Sequence, residues 1–220
     1  PVVRFDGGDL VWTSKDFGYA KEYTIVTVAR YTGGDNERVI STRGPNWLFG
    51  YHGNTIRRFF AGGWIYNVGG SDTNWHLHAG SVRKDARADF WFDFNQLASN
   101  KTGANVGAYR PSVIQLGGWN DVNELSKCEV AEVLFYERSL QQQEIESVQA
   151  ALDAKYDLGF GAGNVVEAVD VNKPGIYRMK YTTADAAGNV SEATRKVVVK
   201  FGILLPVIKL VGEAEMTIEA

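Results

Sequence analysis

Apolar and polar positions alternate with a period of two through most of the chain, as β-strands do, and give way once to the wider period of a helix. The change falls within Cys128 to Tyr156, CEVAEVLFYERSLQQQEIESVQAALDAKY. Its first part reads as a strand with Cys128, Val130, Leu134 and Tyr136 on one face and Ala131, Val133 and Phe135 on the other. Both faces are apolar, the pattern of a strand buried on two sides. Ser139 then offers an N-cap with Gln142 three residues on, a capping-box spacing, and Ile145, Val148, Leu152 and Tyr156 recur at helical intervals. The pattern predicts an all-β protein with one short helix.

After Leu158 the organisation changes. Gly159-Phe160-Gly161-Ala162-Gly163 ends the helix and reads as a linker. Lys173-Pro174-Gly175 is a turn, and Tyr177, Met179 and Tyr181 then alternate with Arg178, Lys180 and Thr182 as a half-buried strand. Ala187-Gly188-Asn189 makes a second turn before a strand from Thr194 to Phe201, so the two strands form a hairpin. An isolated hairpin is marginal in water, and something must cover Ile176, Tyr177, Met179, Tyr181, Val197 and Val199. Val207 to Leu210 and Met216 to Ile218 are the strand types this hairpin lacks. They are expected to fold back on it, within the chain or across a homodimer, unless they are strands of a truncated repeat that pack wherever they can.

Composition narrows the function classes. The 220 residues are 45% hydrophobic and 22% charged, enough to bury a core and too little charge for a disordered chain. A net charge of -3 argues against a nucleic-acid grip, which needs clustered Lys and Arg on phosphates. No apolar run reaches the length of a membrane span. The chain begins at Pro1 without Met or signal peptide and reads as a piece of something longer. Cys128 is the single cysteine, which rules out an intrachain disulfide, leaves the compartment open and, on an apolar strand face, reads as a buried structural thiol rather than a nucleophile.

Several motifs occur in the order of a known superfamily: Phe5-Asp6-Gly7, Asn74-Trp75-His76, Ala88-Asp89-Phe90-Trp91-Phe92-Asp93, Leu116-Gly117-Gly118, and the strand that runs into the closing helix. Together they resemble the laminin-G-like jelly rolls of the concanavalin A-like lectin/glucanase superfamily. Two departures are Phe94, where that family usually has a Gly after the aspartate, and a long loop from Phe94 to Pro111. The stretch DVNKPGIYRMKYTTADAAGNVSEATRKVVVK is similar to the second half of the Ig-like repeats found in tandem on bacterial surface and secreted proteins. The two resemblances imply a concanavalin A-like jelly roll over residues 1–158, a Gly-rich linker over 159–164, a partial Ig-like repeat over 165–202, and the first strands of a further repeat over 203–220.

Function must be argued from sites, because such sandwiches host hydrolases and binding modules alike. Superfamily members that cleave β-glucans resemble one another in a strand with acids at alternating positions, placing an acid and a nucleophile about 5 Å apart. Asp85, Asp89 and Asp93 are the nearest counterpart, but a spacing of four along a strand separates carboxylates by roughly 13 Å, and a solvated polar face is the better reading. His76 and His78 share a strand face, yet with only His52 besides, a zinc site is not expected. The resemblance allows a structural calcium ion. Asp6 and Asp9, Asp35 and Glu37, and Asp121 and Glu124 are candidate oxygen donors, but none of these clusters alone supplies the six or more required, which leaves solvated loop acids as the simpler account.

The aromatic content points elsewhere. Trp47, Phe49, Tyr51, Phe59, Phe60, Trp64 and Tyr66 crowd one glycine-punctuated segment, together with His52, Arg57 and Arg58. Sugar rings lay their C–H faces on Trp and Tyr while polar side chains bind the hydroxyls; the alternative is that these rings fill the core. Trp64, Tyr66, Trp119, Asn120, Asp121, Tyr51, His52 and Arg57 are the candidate ligand-binding residues. The preferred expectation is a non-catalytic carbohydrate-binding, lectin-like module of a larger bacterial protein, extracellular or at the cell surface. A structural or adhesive spacer is the alternative, and a divergent glycoside hydrolase the least favoured.

Overall fold

The computed structural model describes residues 1–18, 20–105, 109–160, 165–166, 169–172, 175–184, 190–200 and 207–210. The chain divides into two compact units, Pro1–Leu140 and Gln141–Ala220. The first contains β1 (Val3–Asp6), β2 (Val11–Asp16), β3 (Tyr23–Tyr31), β4 (Ile40–Arg43), β5 (Trp47–Gly50), β6 (Arg58–Ala61), β7 (Trp64–Asn67), β8 (His76–Val82), β9 (Ala88–Phe92), β10 (Asn95–Lys101), β11 (Val113–Leu116) and β12 (Lys127–Tyr136). They form two antiparallel six-stranded sheets: sheet A in the order β1-β12-β3-β8-β9-β10, and sheet B in the order β2-β11-β4-β5-β6-β7. The chain crosses between the sheets at β1–β4 and β10–β12, while β4–β7 run on within sheet B and β8–β10 within sheet A, so this unit is a two-sheet sandwich and the expected all-β jelly-roll class holds.

The inner faces supply the core. Tyr23, Ile25, Ala29, Tyr31 and Phe90 from sheet A meet Ile40, Trp47, Phe49, Phe59, Ile65 and Ile114 from sheet B. Phe49 packs against Phe59 at 5.1 Å and Phe90 at 5.7 Å between ring centroids. The polar ends of the buried rings are satisfied, as burial demands. Trp47 Nε1 donates to the Tyr23 hydroxyl at 2.9 Å, and the Tyr51 hydroxyl donates to the Ala29 carbonyl at 2.6 Å. Gly80 belongs to this core for a steric reason, since a Cβ there would lie 2.5 Å from the Phe49 ring.

Strand β12 departs from simple alternation. Its register with β3 shifts between Val130, opposite Ala29, and Glu132, opposite Val28, so Ala131 is the extra residue of a β-bulge. Cys128 and Val130 face the core before the bulge, and Val133 and Phe135 pack against the core after it. The expected faces, with Leu134 and Tyr136 alongside Cys128 and Val130, are therefore exchanged over the second half of the strand. The expected long loop after Phe94 is also revised, because Asn95–Lys101 is strand β10, paired with β9. Asp93 (φ 46°) and Phe94 (φ 68°) are both left-handed and make the two-residue hairpin turn. The left-handed backbone costs roughly 1–2 kcal/mol per non-glycine residue. Asp93 is held by its own bonds: its carboxylate accepts the Leu77 N–H at 2.9 Å, and its N–H donates to the Leu77 carbonyl at 2.8 Å.

The second unit contains α1 (Gln142–Tyr156), β13 (Val165–Val166), β14 (Gly175–Ala184), β15 (Val190–Lys200) and β16 (Val207–Leu210). The N-cap of α1 is Gln141 rather than Ser139. The Glu144 carboxylate accepts the Gln141 N–H at 2.9 Å, whereas the Ser139 hydroxyl is engaged with that of Ser81 at 2.8 Å. Asp157, in the left-handed conformation, closes the helix one turn after the Asp153 carbonyl that accepts the cap. The division at Leu140/Gln141 groups α1 with the second unit, where it packs along β14 and β15. The sheet runs β13-β14-β15-β16, with the expected hairpin between β14 and β15. Strand β16 adds to β15 within the chain, Val197 opposite Leu210. Val197 and Val199 are buried and Tyr181 is exposed, while Met216 to Ile218 lie outside the described residues.

Candidate functional site

Sheet B turns one face to the core and the other outward. A single cross-strand row on the outer face runs Trp12, Gln115, Ser41, Leu48, Phe60, Trp64. It begins and ends in exposed indoles, Trp12 at 45% and Trp64 at 38%. Trp64 packs against Phe60 at 5.1 Å, and Phe60 against Tyr109 at 6.2 Å.

The loop between β11 and β12 folds over this face. Ser41 Oγ donates to the Gly118 carbonyl at 2.6 Å, and Trp119 and Asn123 exchange backbone bonds of 2.7 and 2.9 Å around a tight turn. Asn120, Asp121 and Glu124 all have positive φ. Strained backbone of this kind persists where side chains hold it. Asn120 Oδ1 accepts the Gly44 N–H at 2.8 Å, Asp121 pairs with Arg43 at 3.3 Å, and Glu124 binds Arg38 Nε. The Arg38 guanidinium, buried by its neighbours, lies 4.2 Å over the Trp119 ring.

Arg38 and Glu124 lead to His52. Its Nε2 lies 3.3 Å from Glu124 and 3.9 Å from Glu37, and the ligand atoms of these three residues all fall within 4.8 Å of one another. Burial pushes His52 below its usual pKa, Glu124 and Glu37 work against the shift, and Arg38 and Arg58 add to it. Arg58 in turn lies 5.3 Å over the Trp64 ring. A strip thus runs from Trp119 through Arg38 and Glu124 to His52, and Arg58, whose charge acts on His52, leads on to Trp64. Trp119 Nε1 and Arg58 Nε, both shielded from solvent, have no hydrogen-bond partner among the described residues.

Of the eight expected residues, the structure gathers Trp64, Trp119, Asn120, Asp121 and His52 on or beside this strip. Three belong elsewhere. Tyr51 is fully enclosed in the core. Tyr66 packs inward against Phe90 at 5.8 Å, because the bulge between Phe59 and Phe60 shifts the register of β7. Arg57 donates to the Gly69 carbonyl at 2.6 Å and serves the loop after β7. Trp12, Arg38 and Arg43 escaped sequence reasoning; Arg43 lies 4.6 Å over the Trp12 ring.

The acids also fall differently from expectation. Asp89 is buried, bonded to Arg83 and accepting the Asn100 N–H at 2.6 Å. Asp93 joins Asp72 around His76, at 2.7 and 2.8 Å. Neither is the solvated residue of a polar face. Glu37 and Glu124 form the close carboxylate pair absent from any one strand, but an oxygen of Glu124 is already held by Arg38 Nε and faces His52. A calcium ion wants six to eight oxygens, and two carboxylates, an imidazole and a guanidinium do not fit it. His78 is buried and neutral, donating from Nε2 to the Ile56 carbonyl at 2.7 Å, with its pKa pushed down to about 3 by burial. Burial likewise pushes the Cys128 thiol up to about 12, in keeping with a structural role.

The family described as "Bacterial surface protein, Ig-like domain" matches residues 162–199. No curated protein matches the chain. Among solved structures, Trypanosoma rangeli sialidase in complex with sialic acid is 16% identical, covering 69% of this chain and 28% of that one at a TM-score of 0.52. The binding domain of Paraclostridial Mosquitocidal Protein 1 is 11% identical, covering 97% and 60% at 0.49. The CBM40 of Ruminococcus gnavus IT-sialidase is 11% identical, covering 67% and 96% at 0.45. This chain spans little more than a quarter of the sialidase, and what it has in common with it is a fold. No helix among the described residues is long and apolar enough to cross a membrane.

Proposed function

We propose that this chain is a non-catalytic glycan-recognition module of a bacterial surface or secreted protein, binding on the outer face of sheet B. The observation that carries this reading is the strip from Trp119 to Trp64. Two indoles flank a centre of guanidinium, carboxylate and imidazole groups, which suits a ligand with apolar ring faces and hydroxyl edges. The concanavalin A-like resemblance agrees with a saccharide ligand, and the Ig-like match at 162–199 agrees with a surface location.

One feature favours a spacer instead: Trp119, Trp64 and Trp12 each carry a guanidinium over the ring, which uses one ring face for internal packing. Glycan-array binding separates the readings. The intact chain is expected to bind at least one glycan, with affinity about tenfold weaker after Trp64→Ala or Trp119→Ala and no turnover of the bound glycan. No binding across the array, or binding indifferent to both substitutions, would favour the spacer. Hydrolysis would restore the enzyme reading.

A further inference from the structure

A second cleft, of about 490 Å³, opens at the edge of sheet A, between Arg4, Arg30, Thr32, Thr73 and Lys127. Its volume falls within the range of small-molecule sites. The floor follows from strand register: Arg4 is opposite Glu129, and Glu129 opposite Arg30, across β1, β12 and β3. Phe5, Cys128 and Tyr31 face the core, so alternation turns this charged row outward. The Glu129 side chain is only 6% exposed. One of its oxygens accepts Arg4 Nε at 2.6 Å and the other accepts Arg30 Nε at 2.7 Å.

A single buried carboxylate therefore orients two guanidiniums and neutralises only one of them. Arg30 is held further by lying 4.8 Å over the Trp75 ring, while the Arg4 side chain is 71% exposed. Lys127, next along β12 on the same face and opposite Asp6, has no ion pair among the described residues. Cations thus outnumber acids around the cleft, with Arg4, Arg30 and Lys127 set against Glu129 and Asp6. An oriented guanidinium presents a planar fork of donors matched to a carboxylate, and pre-orientation lowers the entropy lost on binding.

We infer that this cleft is a binding site for a carboxylate-bearing saccharide, with Arg4 and Lys127 binding the acid group and Thr32 and Thr73 facing the sugar hydroxyls. It lies on the other sheet from the strip described above and does not depend on that reading.

The test is a titration of the intact chain with D-glucuronate and, as the uncharged counterpart, D-glucose, followed by NMR at the Trp75 indole N–H. Glucuronate is expected to shift that resonance, more weakly as salt is raised, and glucose to leave it in place. Arg4→Gln should weaken glucuronate binding about tenfold. Lys127→Gln, which leaves the Arg4–Glu129–Arg30 row intact and guards against a folding artefact, should weaken it several-fold, and Asp6→Asn should strengthen it. No shift with glucuronate up to about 10 mM, the top of the weak range, would overturn the inference. So would an equal response to glucose, or binding unchanged in both Arg4→Gln and Lys127→Gln.

Discussion

The two faces of sheet B are built from the same kinds of residue and put them to opposite uses. On the inner face Trp47, Phe49 and Phe59 pack ring against ring, and the Trp47 N–H is spent on Tyr23. On the outer face Trp12, Trp64 and Trp119 lie beneath Arg43, Arg58 and Arg38. Aromatic content alone therefore says little about function. What tells the faces apart is the partner of each ring: another ring with a satisfied polar end, or a guanidinium.

The contrast is broken most forcefully on the inner face. Trp47→Ala should cost about 3–5 kcal/mol by denaturant unfolding, the usual penalty for emptying a large core site. A loss below about 1 kcal/mol would mean that the inner rings are as loosely engaged as the outer ones.

Acid probes the same core more gradually, from β8 of sheet A. The folded-state pKa of His78 is about 3 against 6.5 in its ordinary state, so the stability it protects is complete above pH 6.5 and drains away as pH falls towards 3. The slope is about 1.4 kcal/mol per pH unit where only the unfolded state is protonated. His52, also lowered, acts in the same direction. His76 opposes them. Burial would lower its pKa, but hydrogen bonds and charges from Asp93 and Asp72 outweigh burial and raise it. Its contribution is complete below pH 6.5 and is lost as pH rises through the folded value. NMR titration of the ring resonances should show His78 still neutral at pH 5 while His76 is still charged above 6.5. A common midpoint for the two would refute the difference in their surroundings.

The smallest effect belongs to the outer face. Arg58→Gln should change stability by less than about 1 kcal/mol, the scale of a half-exposed cation–π contact. A loss above about 2 kcal/mol would place Arg58 with the core rather than with a ligand surface.

Strand identity was legible in the sequence because alternation and turn residues are local signals. The β14–β15 hairpin and the presence of strand β12 followed from them directly, whereas the bulge at Ala131, which exchanges the faces of the second half of β12, did not. What escaped reading depended on partners distant in sequence. Ser139 looks like a cap until Ser81 claims its hydroxyl, which moves the helix start to Gln141. Phe94 hid the β9–β10 turn because its left-handed backbone breaks the usual preference for glycine. Tyr51 and Trp64 look alike in sequence, and their different fates depend on which side of the sheet the second sheet covers. The grouping of Glu37, His52 and Glu124 joins three separate loops and leaves no motif.

The bulge at Ala131 has a consequence for how far the jelly roll can vary. By taking Ala131 out of the alternation, the bulge keeps both halves of β12 in phase with the interior, Cys128 and Val130 ahead of it, Val133 and Phe135 behind it. Without the bulge, plain alternation through Ala131 would turn Leu134 and Tyr136 inward in their place while the composition of the strand stayed the same. At this point the path of the backbone decides which side chains fill the interior as much as their chemistry does.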